Sequence, residues 1–264
     1  MYSAHVSSPG NGEICFDEAT HTYSRNGITA PLSVTKLISN HFPEFDPEAT
    51  VDKYFDNWKR KSFSKYYDLI HAHANDADAK KAILDLWEQN KQEACRLGTA
   101  MHKVVEMLLS GYPEHACGHD EVEQEVGAFL AWYAQKKKQG WMIEHMELVV
   151  GGTDAEDKLC LGGSIDAVFT NGEGEHVLVD WKRTKDPFGP DEDAPFAKLG
   201  SGPAAELKDT KFNKYALQLA VYAQMLKMTT DIDVGDRRYL ARRPTPLPAF
   251  DPQPNTIFPK QAAI

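Results

Sequence analysis

The chain has 264 residues, of which 42% are hydrophobic and 10% aromatic, and its formal net charge is −10. This composition provides enough apolar residues for a folded core and excludes wholesale disorder, while the acidic balance argues against a protein that holds nucleic acid through bulk positive charge. No apolar run approaches the ~20 residues of a membrane-spanning helix and no signal peptide is evident, which predicts an intracellular protein (cytoplasm, nucleus or viral replication compartment) that is neither secreted nor membrane-spanning.

The first part of the chain is predicted to be mainly helical. Residues 14–16 and 22–24 have the pattern of a short β-hairpin, and Ser33 is expected to cap a helix that begins directly after it. Residues 51–70 and 77–111 predict two longer helices.

The remaining elements change from helical to strand periodicity. They are predicted to be a helix over 120–138, strands over 143–150, 158–169 and 176–182, a helix over 211–228, and a strand over 238–242. Residues 185–203 are rich in Pro and Gly and predict a long loop, and the Pro-rich residues 244–264 predict a disordered tail. The order predicts an α/β or α+β fold with one mixed central β-sheet flanked by helices.

Two acidic residues lie in the predicted strands. Side chains alternate along a strand, so Asp180 and Lys182 share one face and Trp181 takes the other. A hairpin would bring Asp166 beside Asp180, and two close carboxylates repel each other unless a cation lies between them. Oxygen ligands suit Mg²⁺ or Mn²⁺, so the pair predicts a metal site. An ion pair between Lys182 and a carboxylate at a sheet edge is the structural alternative.

Two helices add further candidates. His102 lies one turn after Gly98 on the helix before the sheet, where it could bind a metal or simply be a satisfied helix histidine. The helix over 211–228 carries a polar and aromatic stripe beside its apolar core stripe, and this pattern is typical of phosphate and base contacts but also of a solvated helix surface. The stripe consists of Lys211, Tyr215, Gln218 and Tyr222.

These residues form four motifs in chain order: G-x-x-x-H (Gly98, His102), G-x-x-D (Gly163, Asp166), D-x-K (Asp180, Lys182) and Q-x-x-x-Y (Gln218, Tyr222). Together they resemble the RecB-like exonuclease branch of the PD-(D/E)XK nuclease superfamily, with its mitochondrial genome maintenance and viral exonucleases. The likeness covers about residues 14–243. It implies a restriction-endonuclease-like core over 94–243, a hairpin and helical elaboration over 1–93 packed on that core, and a tail over 244–264.

The resemblance also implies roles for the residues. His102, Asp166, Asp180 and the main-chain carbonyl of Trp181 would bind one or two Mg²⁺ or Mn²⁺ ions. Glu147 would be an additional ligand, although Glu144 competes for that role. Lys182 would orient or deprotonate the attacking water and stabilise charge on the phosphoryl group.

The nucleic acid would be held by other side chains. Gln218 and Tyr222 would bind the strand near the metals, with Tyr215 and Lys211 beside them. Candidate phosphate contacts are Arg96, Ser33, Thr35 and Lys36. Some relatives hold an iron–sulfur cluster through late cysteines, and none is expected here because no cysteine follows Cys160.

The expected function is therefore a metal-dependent DNA exonuclease that acts on single strands or free DNA ends in replication, recombination or repair. A structure-specific endonuclease of the same fold and a catalytically silent nucleic-acid-binding member are the alternatives. The net charge permits this function because the acid excess is partly local. Residues 113–135 carry five acids and no Lys or Arg, whereas residues 53–65 carry five basic residues and one acid. The basic stretch predicts a path for DNA towards the metals.

Overall fold

The computed structural model describes residues 14–184 and 197–242, with only the backbone described at positions 241 and 242. Most of the predicted 185–203 loop and the whole predicted 244–264 tail lie outside these ranges. None of the helices in the described ranges is long and apolar enough to cross a membrane. The chain divides into two compact units. We call Met1–Pro43 with Ala100–Ile264 the core unit, and Glu44–Thr99 the helical unit.

The core unit contains a small sheet, a large sheet and the helices that flank it. Its strands are β1 (Ile14–Asp17), β2 (Thr22–Arg25), β3 (Ile28–Thr29), β4 (Leu32–Ser33), β5 (Met142–Thr153), β6 (Leu159–Thr170), β7 (His176–Lys182) and β8 (Arg238–Arg242). Its helices are α1 (Val34–Ser39), α5 (Glu123–Lys138) and α6 (Lys211–Thr229), together with the C-terminal part of α4 (Asp76–Leu109). The predicted mixed sheet flanked by helices is confirmed.

The large sheet is built around β6. Strand β5 pairs antiparallel with nearly the whole length of β6. The short strand β4 pairs parallel with the beginning of β6, and β7 pairs antiparallel with its end. Strand β8 then adds in parallel to β7. Strands β4 and β7 thus share one edge of β6, and the stretch 163–166 lies between their two pairings.

Apolar residues on β5, β6 and β7 pack against α1 and α6 to form the main core. Leu148, Ile165, Leu178, Leu219 and Leu226 are all fully buried in it. The start of α1 follows the prediction, because the Ser33 hydroxyl accepts a hydrogen bond from the Lys36 amide at 3.2 Å. This core holds β6 and β7 in place at the point where their pairing ends.

The helical unit differs from the prediction of one helix over 51–70, which is wrong. Helix α2 (Pro47–Arg60) begins with Asp46 as its N-cap and ends at Lys61, which is extended, and α3 (Tyr67–His71) follows after a turn. Ser62 and Ser64 favour this break because serine side chains compete for backbone hydrogen bonds. The third helix of the unit is the N-terminal part of α4, which runs through the predicted division at residues 93 and 94.

The edges of several other elements also move. The predicted helix over 120–138 begins with a 3-10 turn, so α5 starts only at Glu123. The strands β3 and β4 were not predicted. They have two residues each, which is too short for an alternating pattern to be visible in the sequence.

Candidate active site

The candidate site lies where β6 and β7 separate. Their ladder runs from Thr170 paired with His176 to Ala167 paired with Val179. Beyond this last pair, the Trp181 amide of β7 donates to a side chain and not to a backbone carbonyl of β6. Its acceptor is Asp166 Oδ2, at 2.7 Å. The fork therefore places an acidic side chain between the two strands.

Three side chains that can bind a metal converge at this fork. Ligand atoms of His102, Glu147 and Asp166 all lie within 4.8 Å of one another. The Nδ1 atom of His102 is 3.6 Å from Asp166 Oδ2, and its Nε2 donates to the Trp181 carbonyl at 3.0 Å. Helix α4 and strands β5, β6 and β7 thus each contribute one group, and the Trp181 carbonyl lies in contact with the histidine.

Glu147 is in an unusual position for a carboxylate. It lies opposite Asp166 across the β5–β6 ladder, and its φ of +47° is in the left-handed region that side chains other than glycine rarely adopt. Burial raises the pKa of its carboxyl to about 8, and the charges of Asp166 and Glu106 add to this effect. The fold thus keeps a strained acidic residue in a position where its ionisation is unfavourable without a cation.

The competing acid, Glu144, has a different partner. Its Oε2 lies 3.2 Å from His176 Nε2. Of the two carboxylates considered for this role, the structure brings Glu147 to the fork and pairs Glu144 with a histidine on β7.

Asp180 and Lys182 share one face of β7, as the strand alternation predicts. Lys182 Nζ is 2.6 Å from Asp180 Oδ2, so the ion pair offered as the structural alternative is present. Burial raises the pKa of Asp180 to about 6, although Lys182 counteracts it. Burial also acts to lower the pKa of Lys182, but the charges of Asp180 and Asp166 outweigh this and raise it.

The Asp180 carboxylate is not one of the three side chains that converge at the fork. Its Oδ1 is nevertheless buried and has no hydrogen-bond partner among the described residues. A buried carboxylate oxygen without a partner is costly. It is the kind of group that a bound cation or an ordered water would satisfy.

The other face of β7 fixes the position of the fork. The Trp181 ring contacts Phe129 and Trp132 of α5 edge-on, with centroids 5.3 and 5.1 Å apart. Arg183, two residues after Trp181, forms a buried ion pair with Glu125 of the same helix at 3.0 Å. These contacts anchor the residues on both sides of Lys182 to α5. The backbone position from which the Lys182 side chain extends is therefore fixed.

Helix α6 covers the fork with two tyrosines and a glutamine. The Tyr215 ring centroid is 5.3 Å from Lys182 Nζ, and Gln218 Nε2 donates to the Tyr222 hydroxyl at 3.1 Å. The prediction that Tyr222 lies on a stripe separate from the core is wrong, because only 4% of it is exposed. Its ring fits in the space above Gly163, and burial raises its pKa.

Replacing Gly163 by alanine is expected to destabilise the protein by about 1–3 kcal/mol. A Cβ at this position would lie 2.5 Å from Tyr222 Cε1 and 3.0 Å from Val34 Cγ2, so α6 or α1 would have to shift. The free energy of unfolding in urea measures the effect. The matched control is Gly127→Ala in α5, where a Cβ meets nothing within 4 Å and a gain of about 0.5–1 kcal/mol is expected. Equal stability of the two variants would contradict the packing account.

The remaining candidates for phosphate contact are not among the side chains that converge as ligands. Ser33 is used as the cap of α1, whereas Thr35, Lys36 and Lys211 are exposed. Arg96 belongs to the helical unit, where its Nε is 2.8 Å from Glu93. At Gly98, a Cβ would meet no atom within 4 Å, so packing does not require the glycine.

Two residues that the sequence did not indicate also influence the site. Glu106 lies one helical turn after His102 on α4, and its charge raises the pKa of Glu147. Tyr23 of the hairpin packs over Gly162, and burial together with the charge of Glu147 raises its pKa to about 12. The spacing of four residues between His102 and Glu106 is the one signal that could have identified the first of these.

The donor set fits a divalent cation. A histidine nitrogen, two carboxylates and a main-chain carbonyl beside a third, buried carboxylate supply the ligands that Mg²⁺ and Mn²⁺ accept. Several acidic groups at one buried fork also create the negative potential that a cation would neutralise. Within the ranges that the structure describes, no other group of three or more His, Cys, Asp or Glu residues meets the same geometric condition.

Comparison with known proteins supports this assignment of chemistry. The family model described as the PD-(D/E)XK nuclease superfamily matches residues 69–251, well over half of the chain. Curated proteins give no match. The matched span includes all of the residues at the fork, from His102 on α4 to Lys182 on β7.

Proposed function

Because the chain belongs to the PD-(D/E)XK nuclease superfamily, we propose that it is a Mg²⁺- or Mn²⁺-dependent DNA exonuclease of the RecB-like branch. It would hydrolyse phosphodiester bonds in single-stranded DNA or at free DNA ends, in replication, recombination or repair. The observation that carries the proposal is the fork itself, where His102, Glu147 and Asp166 converge beside the Asp180–Lys182 pair.

The residues of the fork divide the chemistry between them. His102, Asp166, Asp180, the Trp181 carbonyl and Glu147 would hold the metal. When bound, the metal would supply Lewis-acid stabilisation of the phosphoryl oxygens and lower the pKa of a water molecule. Lys182 would orient that water and stabilise the negative charge that develops on the phosphoryl group.

Several observations on Lys182 support its role. Its ammonium is held within 2.6 Å of Asp180, and its side chain is largely buried, so it reaches the fork from a fixed position. Its raised pKa keeps the group protonated at neutral pH, which favours charge stabilisation and orientation of the water over proton abstraction by a neutral amine.

Helix α6 would present the DNA strand to the fork. Tyr215 is near Lys182, Gln218 is half-buried beside it, and Lys211 is exposed at the start of the same helix. The buried ring of Tyr222 would act mainly by holding Gln218 in place. On α1, Ser33, Thr35 and Lys36 are proposed as further phosphate contacts, and Arg96 on the helical unit as another.

The catalytically silent alternative is disfavoured because the chain retains each acidic residue and the lysine that the chemistry requires. The endonuclease alternative uses the same fork and differs in how DNA enters. The Gln218 and Tyr222 pair on α6 and the helical N-terminal region are the features that favour an exonuclease over the endonuclease.

The test is incubation of the full chain with end-labelled single-stranded DNA in Mg²⁺, in Mn²⁺ or in EDTA. The expected result is stepwise shortening of the labelled DNA strand with Mg²⁺ or Mn²⁺ and no shortening in EDTA. Absence of any cleavage in both metals, with stable binding of the DNA, would instead support the silent alternative.

A further inference from the structure

Five cations of the helical unit have no carboxylate partner within the part of the chain that the structure describes, and four of them lie between residues 53 and 65: Lys53, Arg60, Lys61, Lys65 and Lys81. Two nearby lysines do have such partners, since Lys59 pairs with Asp76 at 2.6 Å and Lys80 with Asp52 at 2.7 Å. Residues 44–99 carry nine Lys or Arg and eleven Asp or Glu, so the positive charge of the unit is local to residues 53–65.

Three of these lysines lie over aromatic rings of the same unit. The distances from Nζ to the ring centroid are 5.0 Å for Lys53 over Tyr54, 5.7 Å for Lys61 over Phe63 and 4.8 Å for Lys65 over Tyr66. Tyr54 and Phe63 are exposed, at 41% and 83%. We call Lys53, Tyr54, Lys61, Phe63 and Lys65 the aromatic–lysine surface.

The exposed rings of Tyr54 and Phe63 are not part of the hydrophobic core of the helical unit. The core of the unit is formed by buried residues such as Phe55 and Ile83, with Trp58 packed against them. The Tyr54 ring stacks on Trp58 with centroids 5.9 Å apart, has Lys53 Nζ over it and is still 41% exposed. Phe63 belongs to the turn between α2 and α3 and is not part of that core. Exposed aromatic rings such as these two are suited to stacking with flat, apolar partners.

We propose that the aromatic–lysine surface is a second binding site for single-stranded DNA, separate from the residues of the fork. Nucleotide bases stack on exposed rings in a sequence-tolerant way, and lysines bind the phosphates between them. A DNA duplex does not fit this chemistry as well, because its bases are stacked on each other. The inference rests on the proposed nuclease function and adds a surface that holds the substrate outside the fork.

The experiment measures binding of a fluorescein-labelled oligo(dT) to the full chain by anisotropy, in EDTA so that no cleavage occurs. The charge variant replaces Lys53, Lys61 and Lys65 by Gln, and the stacking variant is Tyr54→Ser with Phe63→Ser. The matched control replaces Lys138, Lys158 and Lys227 by Gln, since this removes the same charge from the core unit. Circular dichroism checks that each variant is folded.

The charge variant is expected to weaken binding about ten-fold or more and to reduce the slope of log K against log salt by about 2, at ~0.7 per phosphate contact. The stacking variant is expected to lose about ten-fold with an unchanged slope. The control should retain the wild-type slope. Binding by both variants as tight as wild type, or equal loss in the control, would overturn the inference.

Cleavage in Mg²⁺ or Mn²⁺ is measured separately with the wild-type chain. If the wild type digests DNA but the surface variants bind normally, only this inference fails. If DNA binds through the aromatic–lysine surface but is never digested, the proposed nuclease function fails. The inference that this surface binds single-stranded DNA then still holds.

Discussion

Replacing Lys182 by alanine is expected to lower kcat for DNA hydrolysis by about 10²–10³-fold, the typical cost of removing one preorganised group that stabilises transition-state charge. The ammonium lies 2.6 Å from Asp180 on a strand whose opposite face is packed against α5, so its position at the fork is well defined. Steady-state cleavage of labelled single-stranded DNA in Mn²⁺ measures the effect.

The control for this variant is Lys158→Ala, which removes an exposed lysine from the turn between β5 and β6. It should cleave DNA at the wild-type rate. Because Lys182 is not a proposed ligand, the alanine variant should retain its stabilisation by metal. A folded Lys182→Ala protein that digests DNA as fast as wild type would show that the chemistry does not occur at this fork.

Replacing Asp166 by asparagine is expected to remove most of the stabilisation that a divalent metal gives to the protein. A ligand at 100 times its Kd stabilises the folded state by about 2.7 kcal/mol. Asparagine retains an oxygen that can accept the Trp181 amide hydrogen, so the fork should keep its shape while it loses a charged ligand. Thermal unfolding with and without Mn²⁺ measures the difference.

Glu144→Gln is the matched control for Asp166→Asn. It neutralises an acid on β5 that pairs with His176 and not with the cluster. Its unfolding midpoint should rise with Mn²⁺ as much as that of the wild type. If Asp166→Asn responds to the metal as fully as this control does, the fork is not where the metal binds.

Much of the fold could be predicted because the relevant signals are local. Strand β7 has the predicted bounds, β6 is shifted by one residue at both ends, and α6 is one residue longer at its C-terminal end. The shared face of Asp180 and Lys182 follows from the two-residue repeat of a strand. In β7 this repeat alone was enough to place the two charged side chains together.

The rest depends on contacts between distant parts of the chain. Strand β4 has only two residues and exists because β6 supplies its partner. Tyr222 has the spacing of a surface stripe on α6, but Gly163 on strand β6 leaves room for its ring in the core. The left-handed backbone of Glu147 and its proximity to Glu106 likewise arise only when β5 and α4 meet. No periodic pattern contains such information.

The most direct test of the central claim compares a linear single-stranded DNA with the same sequence closed into a covalent circle. The wild-type chain and Lys182→Ala are each incubated with both substrates in Mg²⁺ or Mn²⁺ over a time course. The wild type should progressively degrade the linear strand and leave the circle intact, while Lys182→Ala degrades the linear strand about 10²–10³-fold more slowly and leaves the circle intact. Cleavage of the circle by the wild type, or survival of the linear strand in both metals, would contradict the central claim.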